Sequence, residues 1–194
     1  MGTPSNDHAQ AFWRATFDEA VAACVAEIRA FRPSVLVTYD PFGGYGHPDH
    51  IQAHRVALVA VEAAATAALY RDRGAPWRVA KVYFATFPRS AIARANALLA
   101  ERGLTSPFGE ATDPADIPMG VADAEVTTSL DVRAWIDTKW AALLAHRSQL
   151  GPESFFLNVP PDLRETVFGA EWYVRHRSDV PTPEPETDLF AGLV

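Results

Sequence analysis

The order in which helix and strand patterns alternate over residues 15–69 constrains the fold more than any other feature of this sequence. A helical run, 15–31, precedes the short apolar and β-branched run 34–40, SVLVTYD, which is typical of a strand buried on both faces. A glycine-rich loop then leads into a second helical run, 48–69. This order predicts an α/β unit with a parallel sheet, in which ligands lie beyond the carboxyl ends of the strands.

The remainder of the chain continues this alternation. We predict, in chain order, a strand over 79–87, a helix over 90–102, a surface loop over 103–120, a strand over 124–132 and a helix over 132–149. The acidic, proline-rich segment 179–188 is expected to lie over the surface. Because 194 residues are typical of one domain, we expect a single domain over 1–194, with 179–194 as its C-terminal tail.

Charge and composition exclude several classes of protein. The net charge of −7 argues against a general nucleic-acid surface, which requires clustered cations. No apolar run approaches the ~20 residues that a membrane span requires, and the N-terminus lacks the basic-then-apolar order of a signal peptide. Cys24 is the single cysteine, so no internal disulfide is expected, as in a reducing cytoplasm. We therefore expect a cytoplasmic protein without nucleic-acid or membrane partners, and its oligomeric state stays open.

The histidine loop, residues 41–50 with the sequence PFGGYGHPDH, carries the side chains best suited to chemistry. His47 and His50 are three residues apart, and His54 follows four residues later. Histidines at i and i+4 on one helix face can bind one metal ion. A zinc site for hydrolysis has about three protein ligands and an open position for water. We predict His50 as a ligand on the helix and His47 in the cap that precedes it.

Asp49 and Tyr45 complete the candidate set. Asp49 can hydrogen-bond a histidine ring nitrogen, which fixes the tautomer and favours the imidazolium, and the Tyr45 phenol can polarise a carbonyl. The alternative is that the histidines cap a helix and that Asp49 complements its dipole, and the residue types leave both interpretations open. His54 is expected to be a packed or hydrogen-bonded helix residue. Lys139 and His146 share one predicted helix face, which favours a supporting face over a site.

The segment 38–54, TYDPFGGYGHPDHIQAH, resembles the second motif of the LmbE-like, or PIG-L-type, zinc deacetylases. KWAALLAHRSQ at 139–149 is similar to a later helix of that family. The opening MGTPSNDHAQAFWRA and the ending ETDLFAGL resemble the members that remove acetate from N-acetylglucosaminyl-inositol in mycothiol biosynthesis. The similarity covers essentially the whole chain. It implies a Rossmann-like parallel sheet with flanking helices, Zn²⁺ as cofactor and a small amino-sugar inositol as substrate.

The resemblance also implies roles for individual residues. His50 would be a zinc ligand, and His47 the general acid or oxyanion stabiliser. Asp49 would orient His47, and Tyr45 would be a mobile residue that polarises the carbonyl. A related family activity, the mycothiol-conjugate amidase, is an alternative, although its loop tends to carry proline at the position of Gly46.

The chain departs from the family in one respect. The first family motif, His-Pro-Asp-Asp, is absent from the 194 residues; it would supply a histidine and an aspartate to zinc and a further aspartate as general base. On this resemblance the N-terminal strands are missing, the zinc site is incomplete, and the chain is expected to be inactive alone or to be a non-catalytic remnant. A misplaced start codon and a true truncation are both open. The run 34–40 would then present an apolar edge, and the chain would self-associate.

Overall fold

The computed structural model describes residues 4–106, 108–147, 150, 154, 157 and 159–193. Its helices are α1 (Phe17–Phe31), α2 (Gly43–Gly46, one distorted turn), α3 (Pro48–Ala65), α4 (Arg89–Glu101), α5 (Ile136–Leu144) and α6 (Pro161–Phe168). Its strands are β1 (Val35–Tyr39), β2 (Lys81–Thr86), β3 (Thr128–Asp131) and β4 (Ala170–Ser178). Short 3-10 helices lie at Pro4–Asp7, Phe12–Arg14, Pro114–Asp116, Asp123–Glu125 and Arg133–Trp135. No helix in this described part of the chain is long and apolar enough to cross a lipid bilayer.

The four strands form one sheet in the order β1-β2-β4-β3. β1 and β2 are parallel, which confirms the α/β class, and helices flank the sheet. β4 runs antiparallel to both β2 and β3, so the sheet is mixed rather than parallel throughout. The reason lies in where β4 begins: Trp172, near its start, pairs with Thr86, the last residue of β2. The chain therefore enters β4 at the carboxyl edge of β2 and runs back.

β4 and α6 are absent from the sequence-based prediction. The β4 run AEWYVRHRS reads as a surface segment because four of its nine side chains are charged or histidine: Glu171, Arg175, His176 and Arg177. In the fold its arginines have partners: Arg175 pairs with Glu184 and Glu186, and Arg177 pairs with Glu62. These ion pairs allow a strongly basic run to occupy an interior position of the sheet.

Two predicted helices are shorter than expected. The helix predicted over 48–69 ends at Ala65. The buried Arg29 of α1 explains this end, because its guanidinium donates to carbonyl oxygens of the last turn and of the following loop, including Ala63 at 3.0 Å, Ala64 at 3.1 Å and Leu69 at 3.0 Å. The helix predicted over 132–149 is divided into a 3-10 turn and α5; Ser148 and Gln149 lie outside the described residues.

The main core lies between α1, α3 and the sheet. Its buried members are aliphatic side chains spaced as the helical and strand patterns predict: Val21, Val25, Ile28, Val56, Ala60, Val61, Ala63, Ala64, Val79 and Val82. A second cluster joins Leu99 of α4 to Leu163 of α6 and Val159. This core thus fixes the positions of the sheet and of α3, the two parts of the fold that the histidine loop connects.

The expectation that 34–40 is buried on both faces is wrong for the described structure. Val37 is 44% exposed and Tyr39 is 38% exposed, because both side chains line an open cleft. Within the described residues, β1 pairs with β2 and forms an edge of the sheet. The predicted strand itself is confirmed, since Val35–Tyr39 lies within the predicted run.

The expectation for the C-terminal tail needs a correction at one residue. Most of 179–188 is exposed, but Glu186 is fully buried and contacts the equally buried Lys81. Its carboxylate also accepts hydrogen bonds from the Tyr83 hydroxyl and the Thr128 hydroxyl, both at 2.7 Å. We call Lys81, Tyr83, Thr128 and Glu186 the Glu186 cluster. It attaches the tail to β2 and β3.

Candidate functional site

The histidine loop follows directly from the carboxyl end of β1. Asp40 holds its first turn: the carbonyl oxygen accepts from the Gly43 N–H at 2.9 Å, and Oδ1 accepts from the Gly44 N–H at 2.9 Å. Gly43 has φ +70°, and a Cβ at that position would lie 2.8 Å from the Ile51 nitrogen and 2.9 Å from the His50 Cβ. Only glycine allows the loop to approach the start of α3 this closely.

His50, in the first turn of α3, has its ring fixed on two sides. Its Nδ1 lies 3.1 Å from the Gly43 carbonyl oxygen. A carbonyl only accepts, so Nδ1 carries the proton and the Nε2 lone pair is left for another partner. The ring stacks on Tyr39, with centroids 4.1 Å apart and planes 9° apart. Burial lowers the pKa of His50, which favours the neutral, metal-binding form of the imidazole.

His47 is the N-cap residue of α3, with extended backbone angles. Its Nδ1 accepts a hydrogen bond from the backbone N–H of Asp49 at 3.2 Å, so this nitrogen is unprotonated in the observed contact. The capping interpretation therefore describes a real contact of His47. That contact uses Nδ1, and the ring centroid lies 5.0 Å from that of His50.

The Asp49 carboxylate makes a different contact from the predicted one. Its Oδ1 accepts from the backbone N–H of Trp13 at 2.8 Å, and the contact between Asp49 and the His47 ring comes from the Asp49 backbone. Asp49 thus ties the 3-10 helix Phe12–Arg14 to the start of α3. Sequence reasoning missed this partner because Trp13 lies 36 positions away and donates only its main chain.

Tyr45 lies beside both histidines and is 46% exposed. Its ring meets that of His50 edge-on at 5.0 Å and that of His47 at 6.2 Å. The loop therefore brings together three of the four side chains that the sequence singled out in it, Tyr45, His47 and His50.

The other candidate residues take supporting positions. His54 is buried, its Nδ1 lies 2.7 Å from the Tyr39 carbonyl oxygen, and it packs edge-on against Phe84; the prediction of a packed helix residue is confirmed. His146 lies beyond the end of α5 and is exposed, with Nδ1 3.0 Å from the Ala142 carbonyl oxygen. Lys139 instead points toward the sheet edge, where it pairs with a carboxylate described below.

The arrangement of the His50 ring fits one ligand of a zinc site. A neutral imidazole whose Nδ1–H is held by a backbone carbonyl is the usual state of a histidine that ligates a metal through Nε2, and His50 has this arrangement. Across the ranges that the structure describes, no group of three or more His, Cys, Asp or Glu side chains is arranged to hold a metal ion.

A cleft of about 390 Å³ opens next to the histidine loop. It lies at the carboxyl ends of β1 and β2 and at the start of β4. Its walls are aromatic, polar and small residues: Val37, Tyr39, Asp40, Gly44, Ala85, Thr86, Phe87, Gly120, Lys139, Ala170, Glu171, Trp172 and Tyr173. Sequence reasoning missed most of this cleft, because its residues come from five separated segments and share no local motif.

One ion pair lies in the wall of the cleft. The Lys139 ammonium is 3.1 Å from Glu171 Oε1 and donates to the Phe168 carbonyl oxygen at 3.0 Å. The Tyr173 hydroxyl donates to Glu171 Oε2 at 2.5 Å. Burial raises the pKa of Glu171, but the hydrogen bonds from Tyr173 and Lys139 together hold it below its ordinary value. Glu171 is therefore a carboxylate at neutral pH.

Comparison with known proteins shows the family to which this chain belongs. No protein-family model matches the chain. It is 48% identical over 194 residues to a protein of Geodermatophilus obscurus named 1D-myo-inositol 2-acetamido-2-deoxy-alpha-D-glucopyranoside deacetylase. The aligned region covers 100% of this chain and 66% of that relative. A protein of Catenulispora acidiphila, which carries the same name with the number 1, is 43% identical over 195 residues. The aligned region covers 100% of this chain and 60% of that relative.

A third relative, from Thermobispora bispora and with the same deacetylase name, is 42% identical over 208 residues, covering 100% of this chain and 68% of the relative. The chain spans 60% to 66% of the length of the first relatives it matches. With full coverage of this chain at such identities, the chain belongs to the LmbE-like family of 1D-myo-inositol 2-acetamido-2-deoxy-alpha-D-glucopyranoside deacetylases.

Proposed function

We propose that this chain provides the histidine loop of an amide hydrolase that removes acetate from N-acetylglucosaminyl-inositol in mycothiol biosynthesis. The observation that carries the proposal is the state of His50, whose Nδ1–H is held by the Gly43 carbonyl while Nε2 is left for a metal. The names of the relatives support the substrate class. The position of the loop beyond the carboxyl end of β1 supports its role in binding.

In this proposal His50 is one ligand of Zn²⁺, together with ligands that the loop does not supply. When bound, zinc activates water and polarises an acyl oxygen. His47 and Tyr45 lie beside His50 and act as hydrogen-bond donors to the oxygen of the acetamide as negative charge develops there. Hydrolysis breaks the C–N bond, and the departing amine nitrogen gains the proton that the attacking water loses. Because its Nδ1 accepts from Asp49, neutral His47 is proposed to contribute a hydrogen bond from Nε2–H rather than a proton.

Asp49 has a positioning role in the same proposal. Its backbone N–H holds His47 through Nδ1, and its carboxylate holds the Phe12–Arg14 segment in place. Both contacts fix the direction in which the remaining ring nitrogen of His47 points. Replacing the carboxylate would therefore loosen the first turn of α3 without removing a group that touches the substrate.

Acetate release from N-acetylglucosaminyl-inositol in the presence of Zn²⁺ tests the proposal. The test protein is this chain joined to the portion of the Geodermatophilus obscurus relative that it does not cover. We expect the joined protein to release acetate, and its His50→Ala form to lose at least about 100-fold in kcat/KM, since removing a metal ligand removes the metal's contribution. His146→Ala is the matched control, because this exposed histidine should leave the rate unchanged.

The 194-residue chain alone is expected to release no acetate, because it supplies one or two imidazole ligands where about three ligands are needed. A joined, folded protein that releases no acetate would contradict the proposal. So would an equal rate for the His50→Ala form.

A further inference from the structure

Tyr39, the last residue of β1, contacts α3 at two points that are one helical turn apart. Its ring stacks on that of His50, with centroids 4.1 Å and planes 9° apart. Its carbonyl oxygen lies 2.7 Å from His54 Nδ1, and because a carbonyl only accepts, His54 is the donor. His50 and His54 are four residues apart, so both side chains lie on one face of α3. This face of α3 is therefore attached to a single residue of the sheet.

Three aromatic rings contact His50 in the described part of the chain, and the fold holds them differently. Tyr45 and His47 each have a ring centroid 5.0 Å from that of His50, and both belong to the histidine loop. Tyr39 belongs to β1, which pairs with β2, and its carbonyl oxygen is held by His54. Of these three rings, the one on Tyr39 is thus the neighbour whose position the sheet fixes.

The hydrogen bond between His50 Nδ1 and the Gly43 carbonyl oxygen leaves one movement of the ring free. That contact, at 3.1 Å, selects one of the two orientations related by a half-turn of the ring, since only one places Nδ1 beside Gly43. It restrains smaller rocking about the Cβ–Cγ bond weakly, because this torsion has broad minima in histidine. The Tyr39 ring opposes such rocking, because a tilted imidazole would press its edge into the tyrosine face. Both contacts together fix the direction of Nε2.

Burial in the core does not explain a large aromatic side chain at position 39. Tyr39 is 38% exposed at the edge of the described sheet, and its ring lies outside the main core. The ring instead covers one face of His50. The position of this ring therefore points to a role toward His50 rather than toward the packing of the fold.

We propose that Tyr39 is a positioning residue for His50: its ring holds the imidazole plane, so that the Nε2 lone pair keeps one direction for a metal ion. The inference rests on the proposed function, in which His50 is a zinc ligand, and it adds the residue that orients this ligand. Tyr39 acts through His50. Replacing a residue that orients a metal ligand typically costs about 10- to 100-fold in metal affinity or activity.

Long-range ¹H–¹⁵N NMR of the metal-free 194-residue chain, with its histidines neutral, tests the inference. We expect wild type and Tyr39→Phe to show one tautomer of His50, protonated at Nδ1, because phenylalanine keeps the stacked ring. Tyr39→Leu should show averaged ¹⁵N shifts for His50, because the unstacked ring leaves the Gly43 carbonyl part of the time. The backbone amide spectrum shows whether each variant is folded.

Phe87→Leu is the matched control for loss of an aromatic ring. Phe87 also lines the cleft and is 45% exposed, close to the 38% of Tyr39. Its ring packs near Phe108 and Trp172 and not on the histidine loop. The His50 signals of Phe87→Leu should therefore match those of wild type.

The zinc affinity of the joined protein measures the consequence for the metal. Competition with a chelator of known zinc affinity should give Tyr39→Leu a Kd about tenfold weaker than that of wild type, because the hydrogen bond to Gly43 still restrains the ligand in part. Tyr39→Phe should keep the wild-type Kd. Rescue by phenylalanine separates the stacked ring from any contact made by the tyrosine hydroxyl.

Three results would overturn the inference. The first is a folded Tyr39→Leu protein in which His50 keeps the single wild-type tautomer. The second is a Tyr39→Phe protein whose His50 signals are averaged as in Tyr39→Leu. The third is averaging of the same kind in Phe87→Leu. Should Tyr39→Leu fail to fold, Tyr39→Thr takes its place under the same criterion, because threonine suits a strand.

The two proposals fail separately, because the NMR comparison involves neither zinc nor substrate. A joined protein that binds no zinc and releases no acetate removes the deacetylase function, and the tautomers of His50 still decide what Tyr39 does to the ring. Acetate release by the joined protein, with the same zinc Kd for Tyr39→Leu as for wild type, removes the role of Tyr39 alone.

Discussion

The Glu186 cluster and the histidine loop both place polar side chains at the sheet, but they use their hydrogen-bonding capacity differently. Glu186 is fully buried, and its two oxygens contact Lys81, Tyr83 and Thr128 within the protein. His50 uses one ring nitrogen for the Gly43 carbonyl and keeps the other. A polar group whose partners all lie inside the fold stabilises the fold, whereas one that keeps a free donor or acceptor is a candidate for binding.

Breaking the Glu186 cluster should have the largest effect on stability. Glu186→Ala leaves the ammonium of Lys81 fully buried without its carboxylate partner. We expect the free energy of unfolding to fall by about 3–5 kcal/mol, as for other buried ion pairs that lose one member. Urea denaturation measures this change.

The control is Glu184→Ala, two residues away, whose exposed carboxylate pairs with Arg175. Because the Glu184 carboxylate is exposed, its loss should lower the free energy of unfolding by less than about 1 kcal/mol. Similar losses for the two variants would show that the Glu186 cluster is not a structural centre.

Gly43→Ala tests whether the loop depends on close approach to α3. Gly43 and Gly103 both have positive φ, +70° and +67°, but a Cβ at Gly103 meets nothing within 4 Å. Gly103→Ala should therefore cost about 1–2 kcal/mol for the left-handed backbone alone. Gly43→Ala should cost about 1–3 kcal/mol more, because the added methyl overlaps the start of α3. Urea denaturation of both variants gives the difference; equal losses would remove the packing explanation.

The buried Glu186 carboxylate should also make the free energy of unfolding depend on pH, with a smaller effect than the substitutions above. The pKa of Glu186 lies below its ordinary value of 4.5: burial raises it, but hydrogen bonds from Lys81, Thr128 and Tyr83 outweigh burial. Its contribution is therefore fully present above pH 4.5 and is lost as the pH falls through the folded-state pKa. Below pH 4.5 the stability of wild type should fall more steeply than that of Glu186→Gln, as measured by urea denaturation at stepped pH. Parallel profiles would contradict this.

Local patterns account for what the sequence could predict. The histidine loop, β1 and α3 are contiguous, so periodicity, Pro48 and the spacing of the histidines predict them together. The Glu186 cluster escaped prediction because Lys81 and Glu186 are 105 positions apart and only the fold brings them together.

The same limit applies to β4 and to the cleft. The charges of β4 are acceptable in the sheet only because Glu62, Glu184 and Glu186 neutralise Arg175 and Arg177. The cleft gives no local sequence pattern, since its lining residues come from five separated segments of the chain.

The tautomers of the two loop histidines show whether the loop holds His50 with Nε2 free for a ligand. Long-range ¹H–¹⁵N NMR should be recorded on the metal-free protein well above pH 6.5, the ordinary histidine pKa. We predict that His50 is protonated at Nδ1, which donates to Gly43, and that His47 is protonated at Nε2, since its Nδ1 accepts from Asp49. Opposite tautomers in one loop would show that His50 keeps Nε2 free for a ligand, and an Nε2-protonated His50 would contradict this arrangement.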